Sequence, residues 1–280
     1  MRLATLILIA AAGLTAADAN FEIVPDIIYG HKLGMALSMD LFQPKTNPNG
    51  AAVLFMVSGG WRSNWVPPET AVNLFRPLVD KGFKVFAVRH GSSPKFNIPE
   101  IVEDVRLAVR FVRMNAGRFG VDADRLGVYG GSAGGHLSLM LGTTSDDGNA
   151  SARNEVERVS DRVSAVVAYF PPTDLRQWVS DDPKSNGAFP ALRFDPAKGP
   201  AYSPLLQVTP DDPPTLLIHG DKDPLVNLEH SEKILAEFKK QNVPSELIVM
   251  PGAGHGFRGE DAIKAQNAMT AWFEKYLAKK

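Results

Sequence analysis

The residue most able to do chemistry in this 280-residue chain is Ser132, in Gly130-Gly131-Ser132-Ala133-Gly134. It falls between a strand-like apolar run at 126–129 and a helical run at 136–141. A nucleophilic serine stands on a tight strand-to-helix turn that crowds its neighbours, and glycines two residues to either side leave room for that turn. The helix starting there points its N-terminus at the reaction centre, where negative charge develops. A phosphate-binding turn also uses glycines, but neither Gly-x-Gly-x-x-Gly nor a following Lys-Ser/Thr is present. The expected chemistry is nucleophilic attack through the serine oxygen.

A serine hydroxyl needs a base, usually a histidine oriented by a carboxylate. Of the six histidines, His31, His90, His136, His219 and His230 lie before, at the ends of, or within regular elements, with His136 facing away along the helix after the serine. His255 stands in Gly252-Ala253-Gly254-His255-Gly256-Phe257, a flexible turn after the last strand run, where a base can reach both nucleophile and leaving group. For the acid, Asp221 and Asp223 compete in the turn after 215–219. Asp223 lies deeper in the turn and is preferred, while Asp221 suits a turn former. The order serine, acid, histidine holds for either. An oxyanion needs two backbone N–H donors: Ala133 supplies one, and the glycine-rich turn Ser58-Gly59-Gly60-Trp61 supplies the other through Gly59, Gly60 or Trp61.

These groups need a frame. Strand-like runs fall at 22–28, 35–41, 51–57, 84–89, 126–129, 163–169, 215–219 and 246–250, and the later ones are near-continuous apolar runs, as parallel strands buried on both faces require. Helical periodicity appears at 98–118, 228–241 and 261–278. The alternation predicts an α/β fold, an open sheet with crossover helices. Two stretches break it: polar 143–161, and 171–212, which is rich in Pro, Gly and Asp yet holds Trp178, Phe189, Phe194 and Tyr202. A long connection with its own aromatic residues reads as a cover or as a satellite core under a loop. As a cover over the strand ends, it makes those four residues candidates to line a shallow aromatic acyl cleft.

Composition narrows the function classes. Net charge is −1, with Lys and Arg scattered, which argues against a nucleic-acid track or a polybasic membrane patch. With no cysteine there is no disulfide and no catalytic thiol. Arg2, the apolar run 3–14 and Ala17-Asp18-Ala19 form an export signal at 1–19, with cleavage after Ala19. An uncleaved N-terminal anchor is the alternative. No other run reaches about 18 apolar residues, so no further membrane span is expected. The expectation is one α/β domain over 20–280, secreted or periplasmic. The residues carry no signal of oligomeric state.

The chain resembles the esterase/lipase group of α/β-hydrolases related to hormone-sensitive lipase, especially its small bacterial acetyl-xylan and feruloyl esterases. The resemblance is carried by Val57-Ser58-Gly59-Gly60-Trp61, Asp104 to Ala108, Phe119-Gly120-Val121-Asp122, Gly130 to His136, His219-Gly220-Asp221-Lys222-Asp223 and Gly254-His255-Gly256-Phe257. It implies the α/β-hydrolase fold, with an eight-stranded, mostly parallel sheet flanked by helices, a Ser–His–Asp triad on Ser132, His255 and Asp223, and neither metal nor cofactor. Val57 and Ser58 stand where the family has His and its first Gly, Arg89-His90-Gly91 replaces Tyr-Arg-Leu, and the segment before the acid has no counterpart. The expected activity is hydrolysis of short-chain, or acetyl or feruloyl polysaccharide-linked, carboxylic esters. A peptidase resembling the prolyl-oligopeptidase catalytic domain and a catalytically silent binding protein are the alternatives.

Overall fold

Strands that pair on both sides and pack on both faces must be apolar throughout, and this decides where the sheet lies. The computed structural model describes residues 21–279; the expected export signal at 1–19 lies outside the described residues. Eight strands form one sheet: β1 (Phe21–Lys32), β2 (Met35–Pro44), β3 (Ala52–Met56), β4 (Lys84–Val88), β5 (Leu126–Gly131), β6 (Ala165–Tyr169), β7 (Thr215–Gly220) and β8 (Ser245–Met250). Their order is β1-β2-β4-β3-β5-β6-β7-β8, with β1 and β2 antiparallel and β4 onward parallel. This is the α/β-hydrolase architecture expected from the sequence.

Period-2 alternation sends side chains to two cores. Leu54, Val128, Val166, Ala168 and Leu217 pack on one face with α2 (Ile98–Met114), α3 (Ala116–Phe119), α4 (Ala133–Thr143) and α5 (Glu229–Lys240). Val53, Tyr129, Val167, Leu216 and Ile218 pack on the other with α1 (Val72–Val79) and α6 (Gly259–Tyr276). The helix expected over 98–118 is split. α2 opens on a reciprocal capping box between Asn97 and Glu100 and stops at Asn115, and α3 ends at Gly120, whose φ is 59°. α1 is not legible in the sequence. It has eight residues, contains Pro77 and lacks a side-chain N-cap, so its helical signal is weak. The polar stretch 143–161 contains one 3₁₀ turn, Glu155–Arg158.

Every parallel strand delivers its C-terminal end to the same edge. The turns after β3, β5, β7 and β8 therefore converge, although they are far apart in the chain. The segment 171–212 follows β6 at that edge as irregular backbone with 3₁₀ turns at Pro190–Leu192, Pro196–Tyr202 and Pro204–Leu206. Among the described residues no helix is long and apolar enough to cross a membrane.

Candidate active site

Ser132 occupies the turn between β5 and α4 with φ 54° and ψ −119°, a conformation rare for a residue with a Cβ. Its flanking glycines are required by close approach. A Cβ on Gly130 would lie 2.5 Å from the Gly134 carbonyl carbon, and one on Gly134 would lie 2.7 Å from the Met56 carbonyl oxygen. The strained serine is held on both sides, its N–H donating to Tyr169 O at 2.9 Å and its carbonyl accepting from His136 N–H at 2.9 Å. Ser132 sits at the N-cap of α4 without capping it. Its hydroxyl is turned toward His255 instead.

His255 Nε2 lies 2.8 Å from Ser132 Oγ, and Nδ1 lies 2.7 Å from Asp223 Oδ2. With Nδ1–H donating to the carboxylate, Nε2 is left as the acceptor for the serine proton. Asp223 is buried, and its other oxygen accepts the Leu225 and Val226 amides, each at 2.9 Å. Burial pushes the Asp223 carboxyl up, but the Val226 amide, His255 and the Leu225 amide outweigh it and hold the group below the ordinary carboxylate range. Asp221 is exposed and accepts from the Gly252 amide at 2.6 Å, pinning the turn after β7 to the loop that carries His255.

The sequence marks His219 only as a histidine passed over as the base, and its supporting place is visible only in the fold. It is fully buried beneath the acid, with Nε2–H donating to Val226 O at 2.8 Å and Nδ1 accepting from Ser231 Oγ at 2.7 Å. Phe170 was missed; it packs on the His255 ring at 4.6 Å between centroids. His219 opens the His-Gly-Asp-Lys-Asp motif, but its partners Val226 and Ser231 lie beyond that window, and Phe170 ends an ordinary apolar run with no local signal.

The turn after β3 decides among the oxyanion candidates. Gly59 and Arg62 exchange two backbone hydrogen bonds of 3.0 Å, and Gly60 and Trp61 both have φ 57°. That is a two-residue type I′ turn. Gly59 N–H is consumed in closing it, which removes Gly59 from the donor set. The amides of Gly60, Trp61 and Ala133 make no hydrogen bond among the described residues and remain available.

A cavity of ≈ 240 Å³ opens beside Ser132, lined by Gly60, Trp61, Trp178 and Phe189 together with Pro172, Asn186, Leu192, Leu225 and Val226. Of the four aromatic residues of 171–212, Trp178 and Phe189 line this cavity. Phe194 and Tyr202 are not on its wall. Phe194 is buried against Tyr202 at 5.7 Å, and the Tyr202 carbonyl binds His136, because both belong to the layer that fixes the segment to the sheet. A second cavity of ≈ 250 Å³ lies across the sheet edge, between α1 and α6. Phe55, Tyr129, Tyr169, Phe170 and Phe257 wall it, and the buried Tyr129 hydroxyl has no partner among the described residues. No group of three or more His, Asp or Glu among the described residues is placed to hold a metal ion.

The BD-FAE family model matches residues 39–238. Esterase LipC of Mycobacterium tuberculosis is 30% identical over 247 residues, covering 82% of this chain and 59% of its own length. The chain spans 50–60% of the length of LipC and of two further mycobacterial relatives, a probable carboxylic ester hydrolase LipM and esterase LipQ. Among solved structures, a truncated carbohydrate esterase from gut microbiota superposes with TM-score 0.78 and 26% identity, over 94% of this chain and 99% of that one. An acetyl ester-xyloside bifunctional hydrolase from Caldicellulosiruptor lactoaceticus shares the fold at TM-score 0.77 and 23% identity, over 91% and 96%.

Proposed function

The chain belongs to the BD-FAE family, and we propose on that footing that it hydrolyses carboxylic esters through a covalent acyl-serine, with Ser132 as nucleophile, His255 as base and Asp223 as orienting acid. The observation that carries this reading is the unbroken hydrogen-bonded line from Ser132 Oγ through both His255 nitrogens to a buried carboxylate. His255 Nε2 takes the serine proton as Oγ attacks the ester carbonyl, and the Gly60 or Trp61 amide joins that of Ala133 in binding the oxyanion. The protonated His255 then donates to the departing alcohol oxygen. A water enters, gives its proton to His255 and attacks the acyl carbon. Collapse of that second intermediate returns the proton to Ser132 and releases the acid.

The cavity beside Ser132 supports small substrates, and the second, walled in part by Phe170 against His255, is of like size. At ≈ 240 and ≈ 250 Å³ both fall below the roughly 300–1,000 Å³ of drug-sized sites. Aromatic walls around Trp178 and Phe189, and around Phe170 and Phe257, suit an acetyl or butyryl chain or a flat aromatic acyl group better than a long lipid. A polysaccharide-linked ester, met outside the cytoplasm, fits the export signal read at 1–19 and the carbohydrate esterase named among similar structures. The test is turnover on p-nitrophenyl acetate, butyrate and laurate, methyl ferulate, acetylated xylan and a peptide amide, each with and without Ser132→Ala. Hydrolysis of the amide in preference to every ester would overturn the ester reading, and a laurate rate at or above the acetate rate would overturn the small-acyl reading.

A further inference from the structure

The two halves of the oxyanion site come from different elements, Ala133 from α4 and Gly60 or Trp61 from the turn after β3, so something must hold them in register. Left-handed backbone costs a residue with a Cβ roughly 1–2 kcal/mol, and type I′ turns favour Asn-Gly rather than a Trp at the second central position. Trp61 therefore adopts its φ of 57° because its surroundings impose it. Its carbonyl accepts from Ser93 N–H at 3.1 Å, and its buried indole Nε1–H donates to His136 Nδ1 at 3.3 Å.

His136 is fully buried one turn along α4 from Ser132, whose carbonyl its own amide binds. Its Nε2 faces the Tyr202 carbonyl at 2.9 Å and must carry the ring proton, which leaves Nδ1 as an acceptor for Trp61. Burial lowers the His136 pKa to about 4, against the pull of the Tyr202 carbonyl, so the ring stays neutral near neutral pH. We infer that His136 is a positioning residue for the oxyanion site: it clamps Trp61 in its left-handed conformation, ties that turn to the helix carrying Ser132 and Ala133, and anchors both to the 171–212 segment through Tyr202. The inference rests on the ester-hydrolase reading for its kinetic consequence, but not for the clamp itself.

Two substitutions separate the ring's two bonds. His136→Asn keeps an acceptor near the Nδ1 position and loses the donor to Tyr202. His136→Gln places its amide nearer the Nε2 position and loses the acceptor for Trp61. Loss of an oxyanion donor costs roughly 10²–10³ in turnover. His136→Gln is expected to lower kcat by about 10²-fold with KM within about threefold, and to weaken phenylboronic acid, a tetrahedral mimic, by a similar factor. His136→Asn should lose less than a tenth as much. Trp61→Phe, which removes the indole donor, should match His136→Gln, and the pair combined should lose no more than either alone, as coupled sites do. Equal losses for Asn and Gln, or a rise in KM with kcat unchanged, would show that His136 only fills space. If His136→Gln does not fold, Trp61→Phe carries the kinetic test. Wild-type and Ser132→Ala turnover on p-nitrophenyl acetate, measured first, tells a failed hydrolase reading from a failed clamp. The clamp is also read without activity, by exchange of the Trp61 indole proton: slow in the parent and in His136→Asn, fast in His136→Gln. Rapid exchange in the parent would overturn it.

Discussion

Replacing Asp223 by Asn tests the acid assignment most sharply, because the structure dictates how the new side chain must sit. Asp223 Oδ1 accepts two backbone amides, from Leu225 and Val226. In the variant the amide oxygen has to take that place, since the flipped orientation would set NH₂ against two N–H groups and leave both buried donors unpaired, at roughly 1–3 kcal/mol each. The NH₂ then faces His255 Nδ1, where the carboxylate stood at 2.7 Å. Nδ1 must become an acceptor, the ring proton moves to Nε2, and Nε2 can no longer receive the Ser132 proton. A mis-set tautomer of this kind drops turnover by about 10⁴-fold, or about 5.4 kcal/mol of barrier. Asp221→Asn loses only part of one exposed hydrogen bond to Gly252 N–H and should cost less than about tenfold. Turnover on p-nitrophenyl acetate, normalised to active sites and checked against the melting temperature, compares the two. A residual rate above one hundredth of the parent in Asp223→Asn, or a larger loss in Asp221→Asn, would refute the reasoning.

Ser132→Ala should fold like the parent and lose at least about 10⁴-fold in turnover, and retention of more than a hundredth would remove Ser132 from the mechanism. Tyr129→Phe deletes a buried hydroxyl that has no partner among the described residues and should raise stability by about 1 kcal/mol in urea unfolding, while a comparable loss would show that the hydroxyl is satisfied. Acid should destabilise the fold: burial lowers the His90 and His136 pKa values to about 4, the Gly91 and Tyr202 carbonyls pulling against it, while an unfolded His titrates near 6.5. Between those values the unfolded chain binds more protons, so stability falls as pH drops, by up to about 3 kcal/mol per ring. Asp212, raised by burial to about 6, and Asp104, raised by burial, act in the opposite sense, but burial also lowers His219 and His230, so four rings oppose two carboxyls. Unfolding free energies that are flat or rising from pH 6.5 to 4 would contradict this. N-terminal sequencing of exported protein should begin at Asn20, and an intact Met1 would indicate an uncleaved anchor.

What the chain states locally is legible in its sequence. The strained serine between Gly130 and Gly134 and the apolar strand runs each depend on windows of a few residues, where backbone sterics and side-chain periodicity act directly. Even there legibility thins where local signals are weak, as in proline-bearing α1. The rest depends on groups brought together across the chain. His255 meets Ser132 across 123 positions, and His136 meets Trp61 across 75 and Tyr202 across 66. Which of the two carboxylates meets His255 depends on the Leu225 and Val226 amides, which enclose Asp223 and not Asp221. Gly59 leaves the oxyanion set because hairpin closure spends its N–H. Phe194 and Tyr202 share the aromatic character of Trp178 and Phe189, yet they pack within the 171–212 segment while the other two line the cavity. Composition records that a side chain is aromatic or ionisable. Only the packing of parallel strand ends at one edge determines which side chain it faces, how far its charge is desolvated and whether its hydrogen bonds are already taken.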